Sequence, residues 1–182
     1  PTLSTRLIER FVNDDLSNWH VRLSRRRFWK TDSSNEKISA FITLYECLIS
    51  VSQLIAPFAP FFADWLYKNL IEGSNENKSN EIVSVHLSTL PIQNDSWVNL
   101  DLERRMNYAQ RISSLVLSLR KSEKIRVRQP LSKILLPILD ENFQSDIKLV
   151  EDLIKAEVNI KKIEYISGDT GVIVKRAKPN FR

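Results

Sequence analysis

Apolar residues in the first part of the chain, Leu7, Ile8, Phe11, Val12, Leu16, Trp19, Leu23 and Phe28, recur three or four positions apart. That spacing predicts one long helix from about Leu3 to Trp29, contacting neighbours on more than one side. Polar residues from Thr31 to Asn35 interrupt it. Ser33, with Glu36 three positions on, can form a capping box that opens a second helix. This helix is apolar almost all round through Phe41, Ile42, Leu44, Tyr45, Leu48, Ile49, Val51, Leu54 and Ile55, as befits the buried centre of a bundle. Pro57 and Pro60 end or kink it. Phe61, Phe62, Trp65, Leu66 and Leu70 continue a shorter helix that stops before the polar run Glu72 to Asn80, read as a mobile loop. Ile82 to Leu87 alternates weakly and leads to Pro91, which suggests an extended connector crossing the bundle. A fourth helix follows, with Leu102, Met106, Ala109, Ile112, Val116 and Leu119 in one stripe and Arg104, Arg105, Arg111 and Arg120 left for other faces. Lys124 to Gln129 alternates charge with Ile125 and Val127, and Pro130 fixes an extended exit.

After Pro130 the pattern changes. Ile134 to Leu139 reads as a strand, Phe143 to Ala156 as an amphipathic helix, Val158 to Ile166 as a second strand and Val172 to Lys175 as a third, after a turn at Gly168-Asp169-Thr170-Gly171. Pro137 suits an edge strand. The expected fold is therefore mainly α: a helical bundle over residues 1–130, then a small α/β appendage over 131–182. Composition agrees, since 182 residues at 42% apolar can bury a core, and three glycines with seven prolines are few for an all-β chain. The single cysteine, Cys47, lies in the apolar run of the second helix and is read as a small hydrophobe, with a reducing, cytoplasmic setting. No uninterrupted apolar stretch approaches the roughly 18 residues of a membrane span, and no signal peptide is apparent, so a soluble chain without membrane association is expected. It opens with Pro1 in what already looks like a helix, as a piece of a larger protein would.

Twenty-seven Lys and Arg against 22 Asp and Glu give a formal charge of +5, which favours an anionic partner. The cations cluster. Asn18 to Lys30 interleaves Arg22, Arg25, Arg26, Arg27 and Lys30 with Trp19, Phe28 and Trp29, and on an α-helix Trp19, Arg22, Arg26 and Lys30 share one face while Arg27 points away. Arginine suits phosphate because its planar fork donates paired hydrogen bonds and stacks on bases. A second strip, Lys124, Arg126 and Arg128, lies at the exit of the fourth helix. Arg22, Arg25, Arg26, Lys30, Lys124, Arg126 and Arg128 are thus candidate nucleic-acid contacts, with Trp19 and Trp29 bracing the helix. The bland alternatives are a solvated face paired with Asp14, Asp15 or Glu36 and anchored by Phe28 and Trp29, and edge-strand charges that prevent aggregation. Neither His20 nor His86 lies near Cys47 or in a metal-ligating spacing, and there is no phosphate loop or serine elbow. Paired acids sit at helix starts or diverge. No catalytic residue, metal or cofactor is assigned.

Asn18-Trp19-His20-Val21-Arg22 followed by Arg25-Arg26-Arg27-Phe28-Trp29 resembles the motif opening the anticodon-binding helical bundle of the class I aminoacyl-tRNA synthetases for isoleucine and valine. Ala56-Pro57-Phe58-Ala59-Pro60-Phe61-Phe62-Ala63, Ser84-Val85-His86-Leu87, Ile125 to Leu131 and Lys178-Pro179-Asn180-Phe181 follow in family order. The Val-His-Leu and Lys-Pro-Asn-Phe segments are more similar to the isoleucine enzyme. His20 stands where the family often has tyrosine. The resemblance implies a parent enzyme that activates isoleucine with ATP and magnesium, esterifies it to isoleucine-accepting tRNA and edits misactivated valine elsewhere, with any zinc outside this region. It also implies partnership with the parent's other domains, no oligomer, and no activity of this region alone, because the nucleotide-binding HIGH and KMSKS signatures are absent. A valine-enzyme domain, a basic protein-interaction module and an independent RNA-acting enzyme are the competing readings.

Overall fold

The computed structural model describes residues 2–29, 34–74, 84–138 and 140–166, which fall into two compact units, 1–96 and 97–182. The first unit opens with a continuous helical rod: α1 (Thr2–Arg10), a π-helical stretch Phe11–Val21, and α2 (Arg22–Trp29). It packs along α3 (Asn35–Ile55). Leu16 and Ser24 are buried, whereas Leu3, Leu7 and Phe11 are exposed, so the rod contacts a neighbour on one side rather than on several. Ser34 caps α3, its Oγ accepting from the Lys37 N–H at 3.3 Å. The cap therefore lies one residue beyond the expected Ser33, which is outside the described residues.

α3 departs from its expected role as the buried centre. Only Ala40, Val51 and Ser52 are buried on it, and Ile38, Phe41, Ile42 and Leu54 are exposed. It is also long and apolar enough, by length and composition, to cross a membrane, with 17% of the qualifying window buried. Serines and threonines break the apolar run in sequence yet lower its mean hydropathy little, and they can satisfy their hydroxyls on the helix itself: Ser52 donates to the Ile49 carbonyl at 2.6 Å and Thr43 to Ser39 at 2.9 Å. Beyond a turn at 56–59, Pro60 begins α4 (Pro60–Ser74), a position where its missing N–H costs nothing. α4 thus runs three residues into the stretch from Glu72 expected to be a loop; residues 75–80 are outside the described set.

Ala63, Tyr67 and Val85 form the buried centre of this unit, with Ile49, Ile55, Ala56 and Ile71 packed around them. Val85 arrives there on a single 3₁₀ turn, Val85–Leu87, rather than on the extended connector expected. Asp64 of α4 determines this, accepting from Ser84 Oγ at 2.6 Å and the Val85 N–H at 3.1 Å while pairing with Lys68 at 2.6 Å. The bond from Lys68, then that from Ser84, with help from the Val85 N–H, holds its carboxyl down to about 2.

The second unit begins with a 3₁₀ turn, Asp95–Trp97, that straddles the division, and α5 (Leu100–Ser122), capped by Asn99. A parallel pair, β1 (Leu131–Pro137) and β2 (Ile160–Ile166), is joined through α6 (Glu141–Val158), with Leu131 opposite Ile160 and Pro137 opposite Ile166. Asp140 caps α6, accepting from the Phe143 N–H at 2.6 Å. Ile147, Ile154 and Val158 are fully buried, with Phe143, Ile160 and Ile163 nearly so. The expected third strand and its turn lie outside the described residues.

Units defined by packing divide at 96/97. The reason is α5, which packs on α6: Arg104 and Arg105 bind the two oxygens of Asp146 at 2.8 and 3.0 Å, and Tyr108 meets Phe143 edge-on at 5.0 Å. Asp146 is 4% exposed, and Arg104, then Arg105, pull its carboxyl below the usual range. Arg104 and Arg105 are thus structural partners rather than residues left for other faces. The buried stripe of α5 is Ala109, Ile112, Ser113 and Arg120, while Leu102 and Leu119 are exposed.

Candidate nucleic-acid interface

The first cationic strip is carried by α2. Arg25 and Arg26 are exposed, with no hydrogen-bond or ion-pair partner among the described residues. Arg22 is exposed too and engaged in an interaction, and Lys30 lies outside the described residues. Because Trp19 belongs to the π-helical stretch, whose turns are wider than α turns, the α spacing that put Trp19 on one face with Arg22 and Arg26 does not hold across the junction. Within α2 it does hold, and it groups Arg22, Arg25, Arg26 and Trp29.

The two tryptophans differ. Trp19 is half-buried, its indole N–H without a partner among the described residues. Trp29 is 83% exposed, so it anchors nothing. The anchor is Phe28, whose ring lies 4.9 Å from that of Phe41 on α3. An exposed indole beside unpaired guanidinium groups can stack on a base while its neighbours hold phosphate. His20 is half-buried, and burial, with the nearby Arg27 charge second, lowers its pKa, so it is a neutral packing residue at neutral pH. Burial raises the Cys47 thiol, with Glu46 adding to the effect, which makes it a poor nucleophile. No group of three or more His, Cys, Asp or Glu side chains that could hold a metal occurs among the described residues.

The second strip is not an extended strand. α5 ends in a Schellman turn: the Ile125 N–H reaches back to the Arg120 carbonyl at 2.8 Å and the Lys124 N–H to Lys121 at 3.2 Å. Lys124, at φ 56°, takes the left-handed position that glycine usually fills, at roughly 1 kcal/mol relative to glycine. A further turn follows, closed by the Gln129 N–H on the Arg126 carbonyl at 3.0 Å. Lys124, Arg126 and Arg128 are all exposed, and their charged groups have no ion-pair partner among the described residues. Each strip lies within its own unit.

Sequence reasoning missed the residues beneath this turn. Arg120 is 3% exposed and donates to the carbonyls of Arg126 (3.1 Å), Gln129 (3.0 Å) and Asn159 (2.9 Å). Asn159, the left-handed residue closing α6 at φ 53°, donates through Nδ2 to the carbonyls of Val127 (2.9 Å) and Arg128 (3.1 Å). A signal existed, since Arg120 lies four residues from Val116 and eight from Ile112, on the buried stripe.

A family described as the anticodon-binding domain of tRNA ligase matches residues 3–135. The chain belongs to that family. Curated relatives agree along its whole length: it is 52% identical over 182 residues to an isoleucine–tRNA ligase of Cytophaga hutchinsonii, 47% to one of Bacteroides fragilis and 45% to one of Porphyromonas gingivalis. All of this chain is covered, but it spans only 15–16% of those relatives' length. Both cationic strips fall inside the family match, whereas Asn159 lies beyond it.

Proposed function

We propose that this chain binds the anticodon stem and loop of isoleucine-accepting tRNA as part of a cytoplasmic isoleucine–tRNA ligase. Activation with ATP and magnesium, and editing, then belong to other parts of that enzyme, and this region has no activity alone. The observation that carries the reading is the coincidence of the family match with exposed cations that have no ion-pair partner among the described residues: Arg25 and Arg26 beside Trp29, and Lys124, Arg126 and Arg128 on the turn after α5. Such groups hold phosphates, and the indole takes an unstacked base. Phe61, 92% exposed, with Phe62 and Trp65 on α4, supplies an apolar surface suited to packing against the remaining domains. The isoleucine assignment is supported by the names of the relatives.

Replacing Arg25 and Arg26 by Ala in the ligase carrying this region should raise KM for tRNA about tenfold, since two phosphate contacts are removed. Isoleucine-dependent ATP–pyrophosphate exchange should be unchanged. An equal loss in both assays would sink the reading.

A further inference from the structure

Four consecutive carbonyls, those of Arg126, Val127, Arg128 and Gln129, accept hydrogen bonds from just two side chains, Arg120 and Asn159. Arg120 comes from the last turn of α5 and Asn159 from the end of α6, so the turn is clamped from two elements distant in sequence. With its carbonyls engaged by these donors, the segment has little backbone freedom. Its cationic side chains remain exposed and unpaired among the described residues. From Arg120 to Pro130 the sequence holds five cations and one carboxylate, Glu123. Buried Arg120 is itself met by carbonyl dipoles, so its charge adds to the local positive potential.

We propose that Arg120 and Asn159 are positioning residues that hold 124–129 as a preformed site for the phosphodiester backbone of RNA, gripping phosphates without reading bases. This rests on the tRNA-binding reading above and deepens it. A ligand that meets a fixed array of cations does not bear the cost of ordering them, so the clamp contributes affinity although neither residue needs to touch RNA. A clamp serving only the fold would place no demand on positions 124, 126 and 128. Here they alternate as exposed cations, and one of them occupies a backbone position where glycine is easier.

Removing Arg120 would leave several carbonyls unsatisfied and endanger folding, so the test uses Asn159→Gly in the 182-residue chain. Glycine adopts φ 53° freely and is favoured at a helix C-terminus, so only the two side-chain bonds are lost. Dissociation constants for an isoleucine tRNA transcript would be measured over a salt series, with amide hydrogen exchange across 126–129. The expected result is faster exchange in the turn and roughly fivefold to tenfold weaker binding. In a Lys124→Ala, Arg126→Ala, Arg128→Ala background, the same change should have no further effect on binding. The inference is overturned if Asn159→Gly loosens the turn without weakening binding, or weakens it equally in both backgrounds. Failure of the parent reading looks different: the unmodified chain would then bind tRNA no better than an acidic polypeptide of matched charge.

Discussion

Each unit presents a strip of exposed cations, but on a differently built support. In the first, Arg25 and Arg26 are placed by helix phase on a rod that packs along α3, in a unit whose buried centre is the small cluster of Ala63, Tyr67 and Val85. In the second, Lys124, Arg126 and Arg128 ride on irregular backbone whose own turn bonds are joined by side-chain bonds from Arg120 and Asn159, in a unit with a sealed core at Ile147, Ile154 and Val158. A helix positions its side chains through its own hydrogen bonds. A turn needs donors from elsewhere. The same cation therefore depends on local structure in one unit and on tertiary structure in the other.

The largest expected effect tests the sealed core. Ile147→Ala should reduce unfolding free energy by about 2–5 kcal/mol in urea denaturation, because a fully buried branched side chain leaves a cavity. Ile49→Ala, at a half-buried position in the first unit, should cost clearly less; equal losses would erase the contrast. Next, replacing Lys124, Arg126 and Arg128 together by Ala should weaken tRNA binding on the order of 100-fold at low salt. It should also lower the magnitude of the salt slope by about 2, at roughly 0.7–0.9 per phosphate contact. Arg25→Ala with Arg26→Ala should give about tenfold, and a slope change of roughly 1.5. Trp29→Ala should change stability by less than about 0.5 kcal/mol, since its ring is exposed, while weakening tRNA binding several-fold through lost stacking.

Acid should loosen the 3₁₀ turn of the first unit. The Asp64 carboxyl is held at about 2 in the folded chain against an ordinary 3.8. The proton therefore prefers the unfolded state, and this carboxylate's contribution is complete above about pH 4 and lost as pH falls toward 2. Asp64→Asn should flatten the acid dependence of the 3₁₀ turn at Val85–Leu87, read as amide exchange at Val85 between pH 5 and 2.5. An unchanged profile would show that Asp64 does not pin that turn.

Much of the order of elements was legible in the sequence. Periodic apolar residues marked the first helix, α3, α5 and α6, and the switch to a period of two after Pro130 marked the β1–α6–β2 unit, because those periods reflect local geometry. The cations of both strips were legible as well, and those among the described residues are exposed. Depth of burial was not: α3 reads as a central helix, yet Phe41 and Ile42 are exposed, since composition states what could be covered and not what covers it.

Sequence alone determined the helices, the place of the cations along them and, through identity along the whole chain, the family. Tertiary structure decided that Trp29 is exposed rather than an anchor, that Arg104 and Arg105 serve Asp146, and that Arg120 is buried beneath a basic turn. Each of these depends on a partner 13 to 42 residues away or on a π-helical change of phase, and local spacing carries information about neither.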